Sequence, residues 1–194
     1  MKLRMDVQIS TPQEWVDTVL NNFDDFLIDH ADNERKASAM GMSFIAKYPN
    51  RTEIIPRLID HALEELEHFK GVYKIMNERK IQFPTKMGED VYAQELVKLA
   101  RSGWDDRFLD RLLIGSVIEV RGEEKFRKVE NALEDGEIKA FYRELWISEA
   151  KHGDLFVELA LEYFPHREVT DRLEYFNSHE SRIMMSLPFR AAMH

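Results

Sequence analysis

Two short strings, Glu65-Leu66-Glu67-His68 and Glu149-Ala150-Lys151-His152, each set a carboxylate and an imidazole three residues apart in strongly helical sequence. Residues i and i+3 share a helix face, so each string offers an oxygen and a nitrogen donor toward one point. Each is preceded by a helical segment with one glutamate at matching distance: Glu34 stands 31 residues before Glu65, and Glu119 stands 30 before Glu149. The two halves thus repeat at an offset of 84 to 85 residues. Doubled helix pairs with one Glu on the first member and E-x-x-H on the second supply the ligands of a dimetal centre in a four-helix bundle. A single E-x-x-H says little; two in register say much more. Six nitrogen and oxygen donors, Glu34, Glu65, His68, Glu119, Glu149 and His152, suit iron (or manganese) better than a thiolate site would. Two metals held by bridging glutamates with open positions can activate O2 reductively and oxidise something nearby.

The elements that must position these residues read as helices throughout, with no alternating strand pattern. Thr11-Pro12-Gln13-Glu14 supplies a cap, a proline at the first helical position and a capping-box glutamate for a helix ending near Tyr48-Pro49-Asn50. Thr52 caps a second helix to about Lys80, with Pro56 disturbing its first turns. Residues 82–88 read as a loop, and 89–101 as a short helix crossing the bundle. Asp105 caps a third long helix to Glu134, Asp135-Gly136 makes a turn, and a fourth helix stops at Pro165. A last helix covers about 168–185. The expected architecture is all-α, a four-helix bundle with a crossover helix and an extra C-terminal helix, in a single domain over residues 1–194.

Apolar stripes locate the inward faces. Val16, Leu20, Phe23, Leu27, Ala31, Gly41 and Ile45 surround Glu34; Leu58, Ala62, Leu66, Phe69 and Met76 accompany Glu65, with His68 at the edge of their stripe. Phe108, Leu112, Ser116, Phe126 and Leu133 flank Glu119, and Ile138, Tyr142, Leu145, Trp146, Phe156 and Ala160 flank Glu149 and His152. Amphipathic helices keep charge off such faces, because an unpaired buried carboxylate costs several kcal/mol or takes up a proton. Four such costs call for a common compensation, and two divalent cations provide it. Glu64, Glu67 and Glu124 project away and read as surface charge. Glu123 and His30 lie near the inward face as outer partners of the ligands. Gly41, Gly115, Gly122 and Gly153 are small residues near inward faces, and Trp104, Trp146, Phe69 and Phe126 are candidates for the wall of a substrate pocket.

Composition bounds the function. There is no cysteine, which excludes disulfides, thiolate metal sites, cysteine nucleophiles and a rubredoxin-like electron path. No apolar run is long enough for a membrane span, and the first residues lack a signal-peptide core, so the expectation is a cytoplasmic protein with no membrane partner. A formal charge of −9 weighs against non-specific nucleic-acid binding. The basic residues Arg107, Arg111, Arg121, Lys125, Arg127 and Lys128 along the third helix, and Arg182 and Arg190 in the tail, are the candidates for a phosphate-facing surface.

With these residues in hand, the chain resembles the tRNA hydroxylase family MiaE, within the ferritin-like di-iron proteins. The resemblance is carried by Asp29-His30-Ala31-Asp32-Asn33-Glu34-Arg35-Lys36-Ala37, Glu64-Glu65-Leu66-Glu67-His68-Phe69, Arg111-Leu112-Leu113-Ile114-Gly115 leading to Ile118-Glu119-Val120-Arg121, and Phe141-Tyr142-Arg143 followed by Ser148-Glu149-Ala150-Lys151-His152. It implies an O2-dependent mono-oxygenase that hydroxylates the isopentenyl group of 2-methylthio-N6-isopentenyl adenosine in tRNA. Two Fe ions (or Mn) held by the six donors, a tRNA substrate and a redox partner protein as external electron donor follow from the same resemblance. After Arg121 the pattern implies Ser-Cys-Glu-Arg, where this chain has Gly122-Glu123-Glu124-Lys125. The alternative within the ferritin-like class is a ferroxidase or peroxide-scavenging protein, whose substrate is iron or peroxide itself. A metal-free helical interaction protein is the third reading.

Overall fold

The computed structural model describes residues 2–193 and contains, among them, seven α-helices, one short 3-10 helix and no strand. The helices are α1 (Gln13–Asn21), α2 (Phe23–Lys47), α3 (Ile55–Glu78), α4 (Val91–Lys98), α5 (Trp104–Ala132), α6 (Glu137–Leu161) and α7 (His166–Ser186), with the 3-10 turn Thr52–Ile54 leading into α3. The chain divides into two compact units. One comprises residues 2–16 and 89–190, the other residues 17–88 and 191–193.

The continuous first helix expected from the sequence is interrupted. Asn22 adopts φ −136°, ψ 47°, and its side-chain amide donates to the Thr18 carbonyl (2.9 Å). Asparagine competes for backbone groups in this way and is a poor helix-interior residue, so the Asn21-Asn22 pair ends α1. Asp24 and Asp25 then open α2, where acidic residues complement the helix dipole. Pro56 sits in the first turn of α3 as its missing N–H allows, but Thr52 begins the 3-10 turn rather than capping the α-helix. Asp90 caps α4, accepting from Ala93 N at 2.9 Å. Gly136, at φ 155°, makes the turn before α6 in backbone space essentially reserved for glycine.

In the unit of residues 17–88, α2 and α3 run antiparallel. Arg79 donates to Asp24 at one end, Ser38 Oγ donates to the Ala62 carbonyl (2.8 Å) further along, and Gly41 meets Leu58 and Ala62 beyond it. A Cβ on Gly41 would stand 3.1 Å from the Leu58 carbonyl oxygen, so glycine sets the helix separation there. Phe26, Leu27, Ala31, Leu58, Val72 and Met76 fill the space between. Leu20 and Leu66, placed inward by the stripe argument, are exposed instead.

In the larger unit α5 and α6 are likewise antiparallel, with Gly115 under the Phe156 ring, Ser116 Oγ donating to the Gly153 carbonyl (2.7 Å), and Arg143 donating to Glu130. Arg121, one of the candidates for a phosphate-facing surface, is instead wholly buried. Its Nε and Nη2 donate to Glu180 on α7 (2.6 and 2.9 Å), its Nη1 to Thr11 and Glu124, and its Nη2 also to the Ile9 carbonyl. Tyr92 on α4 donates to the same Glu180 (3.0 Å). One guanidinium therefore joins α5, α7 and the segment before α1, and shares its carboxylate with α4. Burial by itself would lower the arginine's pKa, but the Glu180 carboxylate outweighs it and the group is held further above its ordinary value.

Three residues of the Gly122-Glu123-Glu124-Lys125 stretch contact the chain between Arg4 and Trp15. Glu123 pairs with Arg4, Glu124 accepts from Ser10 and from Thr11 N and Oγ1, and the Lys125 ammonium lies 4.7 Å from the Trp15 ring centroid. Glu124 is thus a structural acceptor rather than surface charge, and Glu123 is taken up by Arg4 rather than by a metal-ligating histidine. Lys125 is buried and, like Arg121, unavailable to phosphate. Trp104, at the start of α5, is exposed.

A second buried carboxylate gives a pH test. Asp110 accepts from Arg101 N, Nε and Nη2 (2.8, 3.0 and 2.9 Å) and from Arg172 Nε and Nη2 (3.0 and 2.8 Å). Burial pushes its pKa up, but the two guanidinium forks outweigh that and hold it below the ordinary 3.8; Asp32 and Glu124 are lowered in the same sense. A depressed folded-state pKa contributes stability above the unfolded value and loses it as pH falls through the folded one. Stability should therefore decline below about pH 4. Asp110→Asn should cost about 2 kcal/mol at neutral pH, less than a fully buried pair because Arg101 is partly exposed, and should flatten the acid limb in urea unfolding followed from pH 7 to 3.

Candidate metal centre

The first half of the donor set stands on α2 and α3. Glu34 is buried and accepts from His30 Nε2 at 2.7 Å, one turn earlier on the same helix. Glu65 is buried on α3, with His61 Nδ1 3.2 Å from its Oε1 and His68 Nδ1 3.4 Å from its Oε2. His68 Nδ1 also lies 3.7 Å from Glu34 Oε2. Glu34, Glu65 and His68 each offer a donor atom within 4.8 Å of the others. The string around Glu34 folds this way for local reasons. Asp32 is held by Arg35 and Lys36 (2.6 and 2.7 Å), and Asp29 accepts from Asn33 and from Met193 N (2.6 Å), so both acids are occupied away from Glu34.

The second half stands on α5 and α6. Glu119, Glu149 and His152 are buried, and His152 Nδ1 lies 2.7 Å from Glu149 Oε2. These three also offer donor atoms within 4.8 Å of one another. Ser116, one turn before Glu119, binds the carbonyl of Gly153, next to His152, and so fixes the two helices' register at this level. A Cβ on Gly153 would fall 2.7 Å from Val120 and 2.8 Å from Arg4 Cδ, so the backbone beside His152 requires glycine to pack this closely.

In both hairpins the E-x-x-H string turns the histidine Nδ1 toward its own glutamate, as the i, i+3 spacing predicts. Two carboxylates within 4.8 Å of each other, both buried, repel and lose hydration unless a cation lies among them. Carboxylate oxygens and imidazole nitrogens without thiolate fit iron or manganese. The residues present therefore fit a metal ion in each hairpin. His30, expected as an outer partner, does contact Glu34. His61 is absent from the expected set, although its position four residues before Glu65 is a signal that helix geometry could supply.

Comparison with known proteins settles the family. The family model described as "tRNA-(MS[2]IO[6]A)-hydroxylase (MiaE)" matches residues 3–194. The chain belongs to the MiaE family. A Pseudomonas putida relative named tRNA 2-(methylsulfanyl)-N(6)-isopentenyladenosine(37) hydroxylase is 32% identical over 177 residues, which cover 91% of this chain and 85% of the relative. A Salmonella typhimurium relative of the same name is 30% identical over 134 residues, 69% of this chain but only 48% of that protein. Among solved structures, a Synechococcus protein described as having aldehyde deformylating oxygenase activity superposes with TM-score 0.92 at 27% identity, covering 98% of this chain and 96% of that one. The fold of this MiaE-family chain is accordingly ferritin-like, and the chain is an enzyme of the di-iron oxygenase type. No helix among the described residues is long and apolar enough to cross a membrane.

Proposed function

We propose that the chain hydroxylates the isopentenyl side chain of a 2-(methylsulfanyl)-N6-isopentenyladenosine in tRNA, with Glu34, Glu65, His68, Glu119, Glu149 and His152 serving one pair of iron ions. The two compact units then act as a single ferritin-like domain. The observation that carries this reading is the doubled donor set, one buried Glu and one buried-carboxylate E-x-x-H pair per hairpin, in a chain matched to the MiaE family over residues 3–194.

In balanced form, a C–H bond, O2, two electrons and two protons give C–OH and water. The six donors would hold the metal pair, which would supply the reductive activation of O2. The chain's own contribution is to bury five of the six donors, with His68 partly exposed, and to fix their orientation. His30 holds Glu34 by a 2.7 Å hydrogen bond, and the short spacing within each E-x-x-H string keeps imidazole and carboxylate side by side. Outer contacts of this type keep ligand side chains preorganised and commonly change metal affinity or activity by roughly 10–100-fold when removed. The two electrons must come from an external donor, and a redox partner protein fills that role in this reading. A tRNA substrate implies action in the cytoplasm.

The test is direct. Iron-loaded protein, a chemical reductant and prenylated tRNA should yield, by mass spectrometry of the digested nucleosides, a product carrying one additional oxygen atom. Unchanged nucleoside under conditions where the protein holds iron refutes the reading. Oxidation of many equivalents of Fe(II) without oxygen transfer would assign the chain to iron or peroxide chemistry instead.

A further inference from the structure

If tRNA is the substrate, an acidic chain must still offer phosphate and bases a place to land. Two of the bases that the sequence put forward, Arg121 and Lys125, are buried in internal contacts. The surface of α3 and the loop after it has a different character. Phe69, Tyr73 and Phe83 form a mutually stacked trio, with ring centroids 6.0, 6.3 and 6.1 Å apart and interplanar angles of 25°, 19° and 10°. Tyr73 is 49% and Phe83 36% exposed. Residues 70–88 hold five basic residues, Lys70, Lys74, Arg79, Lys80 and Lys86, against one acid, Glu78, in a chain of net charge −9. Lys70 and Lys74 pair with Glu67 and Glu78, and Arg79 with Asp24. Lys80 and Lys86 are exposed and have no ion pair among the described residues.

Lys80 carries a further mark. It has φ 62°, the left-handed conformation that ends a helix and that glycine normally fills, and Ile81 N closes the turn on the Met76 carbonyl (2.8 Å). A lysine there is strained. Strain tolerated at an exposed cation is a pointer to use rather than to packing.

We propose that Phe69, Tyr73 and Phe83, with Lys80 and Lys86 flanking Phe83 in the sequence, form a stacking platform for unpaired RNA bases adjacent to the one that is modified. The proposal rests on the tRNA reading above and adds where the substrate docks. Single-stranded RNA is bound by aromatic rings that stack bases and by cations that follow the backbone, and this surface holds both. Phe69 directly follows His68, and Tyr73 lies about 12 Å along the α3 axis from Glu65, so a strand stacked on the platform starts beside the first-half donor set.

Fluorescence anisotropy with a labelled anticodon stem-loop and metal-free protein tests this independently of turnover. The Tyr73→Ala/Phe83→Ala double variant should weaken binding by roughly 5–150-fold for each base it no longer stacks, while Tyr73→Trp should retain it. Lys86→Ala should lower the slope of log affinity against log salt by about 0.7, as loss of one phosphate contact to a single strand does. Lys80→Gly separates roles most sharply, since it relieves the backbone: it should hold or raise the unfolding midpoint while weakening RNA binding. With iron and reductant present, KM for prenylated tRNA should rise in the same variants. Wild-type binding left unchanged by all of these substitutions overturns the platform and leaves the substrate reading standing. The same holds if the aromatic double variant only dissociates a dimer, seen by sedimentation, with RNA affinity intact. Wild-type protein that neither binds nor hydroxylates the RNA overturns the substrate reading, and the platform with it.

Discussion

Glu65→Ala is expected to abolish hydroxylation and iron binding together while leaving the metal-free protein folded. Glu65 is almost fully buried, between His61 one turn before it and His68 three residues after it, and shares its surroundings with the Glu34 carboxylate. In the absence of a cation, two buried carboxylates so close are mutually unfavourable, and removing one relieves repulsion as well as removing a donor. The metal-free variant should therefore unfold at a midpoint equal to or above that of metal-free wild type. Iron should raise the midpoint of wild type by mass action and leave that of Glu65→Ala nearly unmoved. The activity loss should exceed the roughly 10–100-fold typical of an outer partner. Metal analysis and thermal unfolding with and without Fe(II) check both halves. A residue holding the fold through ordinary contacts would give the opposite pattern, a destabilised metal-free protein that still takes up iron, and that result would sink the ligand assignment. Glu65→Gln, which keeps the volume, guards against a cavity effect.

Arg121→Ala should be the most damaging substitution outside the donor set. Both Arg121 and Glu180 are fully buried and joined by two hydrogen bonds, so truncating the arginine strands a carboxylate in the interior. Breaking a buried pair by removing one partner costs about 3–5 kcal/mol, a large part of a domain's stability. Thr11, Ile9 and Glu124 lose a donor at the same time. The double substitution Arg121→Met/Glu180→Leu should recover much of the loss, because an apolar pair of similar volume incurs no desolvation cost. Urea unfolding of the two single variants and the double variant forms the cycle that measures the coupling. Single losses below 1 kcal/mol would show that the network is dispensable.

Much of the site was legible because helix geometry converts spacing into position. Glu34, Glu65, Glu119 and Glu149 are separated by the lengths of two repeated hairpins, and i, i+3 pairs must face one way, so burial and donor proximity within each hairpin followed from numbering alone. What escaped is instructive. Asn22 breaks the first helix by a local side-chain bond that apolar periodicity does not register. Leu66 is exposed along with Ile59 and Leu63, so α3 carries apolar residues on its outer side as well and its stripe is blurred. Arg121 and Glu124 looked like surface charge because a charged residue in a helix pattern carries no trace of a distant partner; theirs are Glu180 and Thr11. His61 stands one turn before Glu65, but a lone His-x-x-x-Glu pair has no second motif residue to mark it in the sequence.

The way the chain is divided between its units has a consequence for synthesis. Residues 17–88 form the α2–α3 hairpin and its surroundings, but residues 2–16, made before them, belong with α4 to α7, while 191–193 return to the hairpin's unit. On the ribosome the hairpin can form early, since its contacts are close in sequence. Thr11 and Ile9 must wait more than 100 residues for Arg121, and Arg121 a further 59 for Glu180. Neither unit can be excised as one continuous stretch with all its contacts, so a gene split after residue 88 would leave each product short of an end held by the other. Completion of this enzyme accordingly waits until α7 and residues 191–193 have been made, long after the hairpin can form.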